Sequence, residues 1–529
     1  MSTASVIARA IGDCGVQRVF AYPGDPIIDF MDSLRQRDID VVLARREGTA
    51  AFMAEATGML TGIPGVCLST LGPGSTALVN GVAAAQLDRV PMLAISGQIE
   101  TARQAFFTHQ VVDHPSLFSP VTKWAGTVSE KSVGTVMRKA LRTAVAERPG
   151  AVHLTVAGDT FSSEATDADV VIPPMGPLTG GFAVTGADPA ASLRQATRPI
   201  LLVGTGAVRA EASQAVADFA QNLGIPVVVA PMAKGVIDET NPWFAGVLDM
   251  ACNERVWALL GEADLIVAAG FDPVELIKPW SLPTPVLHID STPNTDQVYA
   301  SDSEVVGDIG AALAHLAGER SGNQAWDAVE IRSFRESLKA DYYSGRVKGA
   351  LNPSDVVDTV REAAPSETVL CTDVGSHKIL IGQGWTAYGP RSVLMTNGLS
   401  AMGFGVPAAI AAAIHRGDGS VIAMVGDGGF AMAATELRLA AALGLTLTVV
   451  VFVDGSLNRI ELKQIRRGLP STATRIEETD LVMLAESMGC HGTRVSTNEQ
   501  LAAAMAEDHN GVPLVIEARI DPSQYLTQY

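Results

Sequence analysis

The sequence predicts an α/β protein made of three domains, each a doubly wound parallel sheet. Short β-branched runs such as PILLVGTG, IPVVVAP and VIAMVGDG alternate with alanine-rich helical stretches, which is typical of parallel α/β layers. A chain of 529 residues is too long for one hydrophobic core. Two stretches interrupt the alternation: residues near 160–195 are rich in proline, glycine and acid, as in a linker, and residues near 318–350 are polar and helical. We therefore predict domains at residues 1–165, 190–318 and 350–529.

The composition is that of a soluble globular protein, with 47% hydrophobic and 18% charged residues. A net charge of −19 argues against nucleic acid or an anionic membrane as a partner. The N-terminus has the pattern of an amphipathic helix rather than a signal peptide, and the longest mostly apolar run, residues 439–453, is too short to span a membrane. The five cysteines are widely spaced without a CxxC pair, so neither disulfides nor a zinc site is expected. We expect a cytoplasmic protein.

The most informative stretch covers residues 421–463. VIAMV predicts a buried strand, GDG at 426–428 a tight turn, residues 431–443 a helix, and LTLTVVVFV a second strand ending before Asp454. The strands of such a βαβ unit run parallel, so Asp427 and Asp454 are expected at one sheet edge, where ligands bind in open α/β sheets. The flanking glycines allow main-chain N–H groups to approach a phosphate. Carboxylate, phosphate and carbonyl oxygens together suit Mg²⁺.

A plainer interpretation of the same turn needs no ligand. Gly426, Asp427 and Gly428 would then end a strand, and the aspartate would cap the next helix. The second acid, Asp454, follows the next parallel strand of the unit. Two acids at one sheet edge favour the metal and diphosphate site.

These residues resemble the cofactor motif of the thiamine-diphosphate enzyme family, which includes acetohydroxyacid synthases, pyruvate oxidases and pyruvate decarboxylases. The family's motif begins with Gly-Asp-Gly and ends at two asparagines, the second of which is a metal ligand. This chain departs there, because Val453 and Asp454 replace the asparagines; catabolic acetolactate synthases also carry Asp at that place. The resemblance implies thiamine diphosphate and Mg²⁺ as cofactors, with Asp427, Asp454 and the main-chain carbonyl of Ser456 as metal ligands.

Further elements of the family occur in order along the whole chain. RREGTAA at 45–51 places Glu47 as the family's catalytic carboxylate, although Arg46 and Gly48 replace the usual His and Gln. LGPG at 71–74 resembles the glycine loop beside the pyrimidine ring, DVGSH at 373–377 the diphosphate loop, and NGLSAMG at 397–403 the element whose bulky residue holds the cofactor bent. The resemblance implies the following cofactor-binding residues: Pro23, Gly24, Gly72, His377, Asn397, Leu399, Ser400, Met402, Gly426, Gly428, Gly429 and Leu457.

Two stretches are similar to the catabolic, flavin-independent acetolactate synthases. They are THQ at 108–110 followed by LFSPVTK at 117–123, and GFDPVE at 270–275. FAD is therefore not expected. Gly204 and Gly206, after PILLV, form an incomplete dinucleotide motif, and we expect no nucleotide there.

The resemblance implies a carboligase acting on small 2-oxo acids. Such an enzyme decarboxylates pyruvate or a related 2-oxo acid and then joins the remaining unit to a second carbonyl substrate. A decarboxylase of the same family, which protonates that unit instead, is the alternative. A relative that binds cofactor without catalysis is another class of protein, and retention of Glu47 with both metal acids argues against it.

Several side chains allow both a functional and an ordinary interpretation. Glu47 would hydrogen-bond the pyrimidine ring and promote removal of the cofactor's C2 proton, or it is an acid in the first turn of a helix. His109, Gln110, Lys378 and Lys463 are candidates for the substrate pocket, or they are ordinary surface residues.

The resemblance also predicts a homo-oligomer. Glu47 of one subunit would reach cofactor held by Asp427 and Asp454 of another, so a monomer would lack a complete site. We expect a dimer or tetramer with active sites between subunits.

Overall fold

The computed structural model describes residues 1–171, 176–177, 179–319, 326–509 and 511–528. The predicted linker near 160–195 includes residues 172–175 and 178, and the polar stretch near 318–350 includes residues 320–325; these parts lie outside the described residues. Three successive stretches of the chain each form a sheet with flanking helices. The predicted fold class is therefore confirmed.

The N-terminal stretch contains six parallel strands. They are β1 (Arg18–Ala21), β2 (Asp40–Leu43), β3 (Gly65–Ser69), β4 (Met92–Gln98), β5 (Trp124–Thr127) and β6 (Ala151–Ala157), paired in the order β2-β1-β3-β4-β6-β5. Strands β3, β4 and β6 are buried along their whole length, as expected where helices cover both faces. The helices are α1 (Thr3–Asp13), α2 (Ile28–Arg35), α3 (Glu47–Thr61), α4 (Pro73–Leu87), α5 (His114–Phe118), α6 (Val133–Val145) and α7 (Gly158–Ser162).

The central stretch forms a sheet of seven strands. They are β7 (Phe182–Gly186), β8 (Pro199–Val203), β9 (Val227–Val229), β10 (Phe244–Val247), β11 (Leu265–Ala269), β12 (Val286–Asp290) and β13 (Ser301–Gly307), in the order β10-β9-β8-β11-β12-β13-β7. Only the edge strand β7 runs antiparallel among these described strands. The helices are α8 (Pro189–Gln195), α9 (Thr205–Arg209), α10 (Ser213–Leu223), α11 (Asn253–Gly261), α12 (Ile309–Glu319) and α13 (Ala328–Tyr342).

The C-terminal stretch forms a third sheet, again parallel throughout. Its strands are β14 (Val369–Thr372), β15 (Val393–Met395), β16 (Val421–Gly426), β17 (Thr448–Val453), β18 (His491–Val495) and β19 (Leu514–Arg519), in the order β15-β14-β16-β17-β19-β18. Its helices are α14 (Pro353–Ala363), α15 (Ser376–Gly384), α16 (Gly405–Arg416), α17 (Asp427–Ala433), α18 (Leu437–Ala442), α19 (Asn458–Arg466), α20 (Leu481–Ser487) and α21 (Asn498–Met505).

The chain divides into two compact units. The first comprises residues 1–175, 398–419 and 433–445, and the second residues 176–397, 420–432 and 446–529. Within the first unit Phe52 of α3 meets Phe404 edge to face, with ring centroids 5.8 Å apart. Among the described residues no helix is both long enough and apolar enough to cross a membrane.

The prediction of one helix over residues 431–443 is wrong at its start and in its continuity. Helix α17 begins at Asp427, directly at the strand end, and a 3-10 turn at Ala434–Glu436 separates it from α18. The interruption coincides with Glu436, whose buried carboxylate accepts hydrogen bonds from the Arg45 N–H and the Thr49 hydroxyl. A tertiary partner for this acid therefore overrides the helical preference of the alanine-rich sequence.

Candidate functional site

Three aspartates follow the carboxyl ends of three neighbouring strands. Asp373 comes after β14, Asp427 after β16 and Asp454 after β17, and these strands lie side by side in the sheet. Parallel strands place their carboxyl ends at one edge, which is where open α/β sheets bind ligands. Asp427 and Asp454 therefore lie at the same edge of the sheet, as expected for residues that follow adjacent parallel strands.

Asp427 connects the ends of β16 and β17 through its carboxylate. Its Oδ1 accepts the N–H of Gly428 at 2.8 Å, and its Oδ2 accepts the N–H groups of Gly455 at 2.8 Å and Asp454 at 3.2 Å. Burial raises the pKa of Asp427 above its ordinary value, and these main-chain N–H groups oppose the rise. The turn that follows β17 is thus held in register with the turn that follows β16.

Asp454 is the second candidate metal ligand. Its Oδ1 accepts the N–H of Ser456 at 3.0 Å, and the Ser456 hydroxyl donates to Glu461, whose other oxygen pairs with Arg475 at 2.7 Å. Burial and then the neighbouring charge of Asp427 raise the pKa of Asp454 to about 7. Two carboxylates that repel each other in a partly buried place are a suitable donor set for a divalent cation.

A metal here would also need oxygens that are not side chains. In the parts of the chain that the structure describes, no group of three or more His, Cys, Asp or Glu side chains is arranged to hold a metal ion. A metal at Asp427 and Asp454 would therefore depend on main-chain carbonyls, such as that of Ser456, and on ligand oxygens. Mg²⁺ commonly binds in this way, through one or two carboxylates and the phosphates of a bound molecule.

His377 is buried beside the same turn. Its ring stacks on Phe452 of β17, with centroids 5.5 Å apart, and burial, assisted by the charge of Lys378, lowers its pKa to about 3. The Nε2 atom is buried without a hydrogen-bond partner among the described residues. A neutral imidazole with one unused nitrogen fits an oxygen-rich ligand such as a diphosphate.

Glycines are required around this histidine. A β-carbon on Gly426 would lie 3.0 Å from the His377 ring, and one on Gly375 would lie 2.7 Å from it. A β-carbon on Gly429 would lie 2.2 Å from Asp373 Oδ2, closer than atoms can approach. These close contacts, together with the unused Nε2 atom and the two acids, fit a diphosphate bound through a divalent cation.

The two candidate lysines differ in environment. Lys378 is only 2% exposed, and its ammonium donates to Thr396 O and Asn397 Oδ1, both at 2.8 Å. It is therefore no surface lysine. Lys463 and Arg466 are exposed on α19, and Arg467, which directly follows this helix, is exposed as well.

In the first unit, Glu47 lies beside the predicted glycine loop. It begins α3 and is half-buried, and a β-carbon on Gly74 would be 3.1 Å from Glu47 Oε1. Gly72 has φ +54°, and a β-carbon there would meet Gln110 at 2.8 Å. Gln110 and His109 are exposed, the latter edge-on to Phe107.

The remaining predicted cofactor residues also have defined positions. In the first unit Pro23 and Gly24 follow β1, and a β-carbon on Gly24 would overlap Thr70. Leu399, Ser400 and Met402 are half-buried, and Ser400 has a positive φ. In the second unit Leu457 precedes α19, and its N–H donates to Thr474 O at 2.7 Å.

Sequence reasoning did not single out several polar residues that the structure connects to elements named above. The Ser376 hydroxyl donates to Asn458 Oδ1 at 2.9 Å, which connects the first residue of α15 to the first residue of α19. In the first unit, Asp88 Oδ1 accepts the N–H of Gly398 at 2.5 Å. Burial and the adjacent Asp88 raise the pKa of Glu55 well above its ordinary value. Glu55 is an isolated polar residue within an apolar run, a pattern too common to identify it, and the other residues have partners far away along the chain.

Three family models match the chain in succession. The N-terminal binding domain of thiamine pyrophosphate enzymes matches residues 1–117, their central domain matches residues 187–316, and their C-terminal binding domain matches residues 373–518. Thiamine pyrophosphate is another name for thiamine diphosphate. Each matched segment covers most of the strands of one of the three sheets.

Similar proteins include three acetolactate synthases. The chain is 30% identical to acetolactate synthase of Bacillus subtilis (strain 168), over 98% of this chain and 93% of that one. It is 31% identical to the catabolic acetolactate synthase of Raoultella terrigena, over 98% and 95%. It is 28% identical to the large subunit of acetolactate synthase isozyme 3 of Escherichia coli (strain K12), over 99% and 96%. Since the similarity covers nearly the full length of each chain, this protein belongs to the thiamine-diphosphate-dependent enzymes related to acetolactate synthases.

Proposed function

We propose that the protein is a Mg²⁺-dependent carboligase that does not need FAD. It would decarboxylate pyruvate or a related 2-oxo acid and add the unit that remains after loss of CO₂ to a second carbonyl compound. The observation that supports this most is the pair Asp427 and Asp454 at adjacent strand ends, next to the unused Nε2 atom of His377. The relatives named acetolactate synthase support the choice of reaction. The predicted domains at residues 1–165, 190–318 and 350–529 are part of the proposal.

The diphosphate side of the site would be built by the second unit. Asp427, Asp454 and the carbonyl of Ser456 would hold the metal, and His377 would donate a hydrogen bond to a phosphate oxygen through Nε2. Asp427 is already oriented by three main-chain N–H groups. Its geometry therefore depends little on the arrival of the metal.

When bound, thiamine diphosphate supplies an electron sink for the carbon that loses its carboxylate. Glu47 would hold a proton on the pyrimidine ring and so set the tautomer that is needed for activation. Its half-buried position at the start of α3, against Gly74, supports this role. Leu399, Ser400 and Met402 would pack against the cofactor rings and exclude water. His109, Gln110, Lys378 and Lys463 remain the proposed substrate-pocket residues.

Product analysis tests the reaction. The purified protein, with thiamine diphosphate and Mg²⁺, is given a panel of 2-oxo acids and aldehydes, and products are identified by mass spectrometry. Acetolactate or a related hydroxyketone is expected, and the Glu47→Gln variant serves as the matched control. Aldehyde as the sole product would replace the proposal with a decarboxylase, and bound cofactor without any product would exclude catalysis.

Mixing two inactive variants tests the proposed sharing of sites between subunits. If Glu47 and Asp454 of one site come from different chains, a mixed dimer of Glu47→Gln with Asp454→Ala contains one intact site. After random exchange of subunits about a quarter of wild-type activity should return. No recovery, in a mixture whose exchange is verified by native mass spectrometry, would place both residues of a site on one chain.

A further inference from the structure

In the central domain a buried acid contacts the glycine turn that forms the incomplete dinucleotide motif. Glu275 ends the 3-10 turn Pro273–Glu275 and is 0% exposed. Its Oε2 accepts the N–H of Thr205 at 2.9 Å. Thr205 lies between Gly204 and Gly206, immediately after β8. The carboxyl group of Glu275 thus takes the place beside the glycine turn where a phosphate would bind in a dinucleotide fold.

The space beside the two glycines of this turn is filled by other parts of the chain. A β-carbon on Gly204 would lie 2.4 Å from Phe271 Cα and 2.6 Å from Glu275 Oε2. A β-carbon on Gly206 would lie 2.8 Å from Gly270. Two main-chain bonds close the same contact, from Gly204 N to Ala269 O at 3.0 Å and from Gly206 N to Gly270 O at 2.8 Å. These glycines therefore serve close packing of β8 against the turn after β11.

The other end of Glu275 reaches toward the diphosphate loop. Its main-chain carbonyl accepts Asn397 Nδ2 at 2.8 Å. The Oδ1 of the same amide accepts the Lys378 ammonium at 2.8 Å, and Lys378 also donates to Thr396 O at 2.8 Å. All three side chains are at most 5% exposed. Because Lys378 is adjacent to His377, the series of bonds runs from the glycine turn to the diphosphate histidine.

We propose that Glu275 is a positioning residue for the cofactor site: its carboxyl group closes the glycine turn, and its carbonyl orients Asn397 and through it Lys378. This inference rests on the proposed diphosphate site. On this proposal the central domain positions the loop that begins with Asp373. The glycine turn of the same domain is filled by the Glu275 carboxyl group and not by a ligand. An ammonium donor on one side of the buried amide and a carbonyl acceptor on the other fix its orientation, since a flipped amide would place donor against donor and acceptor against acceptor.

Asp264 provides a matched control in the same domain. It accepts the N–H groups of Thr197 at 2.6 Å and Arg198 at 2.8 Å. Thr197 and Arg198 precede β8 and Asp264 precedes β11, so these bonds lie at the opposite edge of the central sheet from Glu275. Asp264→Ala therefore removes carboxylate-to-main-chain bonds from the same two strands without touching Asn397. Glu275→Ala removes the acceptor of Thr205, whereas Glu275→Gln keeps an acceptor oxygen of the same shape.

Hydrogen exchange of the apoprotein, followed by mass spectrometry, tests the proposal without cofactor. Glu275→Ala should speed exchange in peptides covering residues 376–378 and 395–397, Glu275→Gln should restore protection, and Asp264→Ala should leave these peptides unchanged. In titration calorimetry, Glu275→Ala should bind thiamine diphosphate with Mg²⁺ about tenfold more weakly than the wild type. This is the lower end of the effect that loss of a supporting residue usually has. Glu275→Gln and Asp264→Ala should bind the cofactor with nearly wild-type affinity.

Two results would overturn the proposal. One is unchanged exchange of both peptides in Glu275→Ala, and the other is equal acceleration in Asp264→Ala, which would indicate general loosening of the domain. A wild-type protein that binds no thiamine diphosphate would instead refute the proposed function, while the exchange comparison would still decide the role of Glu275.

Discussion

Replacing Glu275 by Gln should make the stability of the protein less sensitive to pH. The Gln side chain keeps the shape and the acceptor oxygen that receives the Thr205 N–H, but it cannot ionise. Burial raises the pKa of Glu275 from 4.5 to about 8, and the nearby Asp272 adds to the rise, whereas the Thr205 N–H and Arg209 oppose it. Between about pH 4.5 and pH 8 the wild-type side chain therefore takes up a proton when the protein folds.

The size and sign of the effect follow from this shift. One pKa unit corresponds to about 1.4 kcal/mol, so ionising Glu275 inside the folded protein would cost up to about 5 kcal/mol. A raised folded-state pKa gives stability that is fully present below pH 4.5 and is lost as the pH rises through about 8. From pH 5 to pH 9 the free energy of unfolding of the wild type should therefore fall by about 3 to 5 kcal/mol relative to that of Glu275→Gln.

The measurement is a series of urea unfolding curves and melting temperatures at half-unit pH steps, on wild type and variant in parallel. Glu336→Gln is the control, since Glu336 is an exposed acid of the central region and its curve should follow the wild type. Parallel wild-type and Glu275→Gln curves from pH 5 to pH 9 would refute the reasoning. They would mean that the buried carboxyl group titrates as it does in the unfolded chain.

Four further predictions concern the cofactors and the substrate. Asp454→Ala should weaken retention of thiamine diphosphate by about tenfold or more in calorimetry, with excess Mg²⁺ compensating only partly; wild-type binding would contradict the assignment. Glu47→Gln should keep cofactor affinity but slow exchange of the C2 proton by about 10²-fold, measured by NMR in deuterated water, and an unchanged rate would exclude the role. The pure protein should be colourless and active without FAD, and a yellow preparation that loses activity when its flavin is removed would contradict this. Lys463→Gln should lower kcat/KM for an anionic substrate by about tenfold to a hundredfold, or about 1.4 to 2.7 kcal/mol, and spare a neutral aldehyde; equal losses on both would mean that the lysine does not read charge.

The parts of the structure that depend on local pattern could be predicted from the sequence. The β-branched runs became strands, and the runs VIAMV and LTLTVVVFV became parallel neighbours, β16 and β17. Once the two strands are parallel, their carboxyl ends must coincide, so the meeting of Asp427 and Asp454 required no further information. The amphipathic start of the chain likewise became α1, with Ser2 as its cap.

The parts that depend on distant partners could not be predicted in this way. Lys378 is buried because the chain supplies Thr396 O and Asn397 Oδ1, 18 and 19 residues away. Asn397 in turn depends on a carbonyl 122 residues away. A lysine after a histidine carries no local sign of such partners, and exposure is the ordinary state of lysine. Glu275 was noted only as part of the GFDPVE stretch, and its burial was not foreseen because its partners Thr205 and Asn397 are 70 and 122 residues away.

The carboxylate of Asp427 also affects the order in which ligands could load. It occupies the N–H groups of Gly428, Asp454 and Gly455, so these amides are not available to an incoming phosphate. The edge of the sheet instead presents acids that would repel a diphosphate until a divalent ion neutralises their charge. A polyanionic cofactor would thus enter together with its metal or after it, and a chelator added before the cofactor should block loading more effectively than one added later.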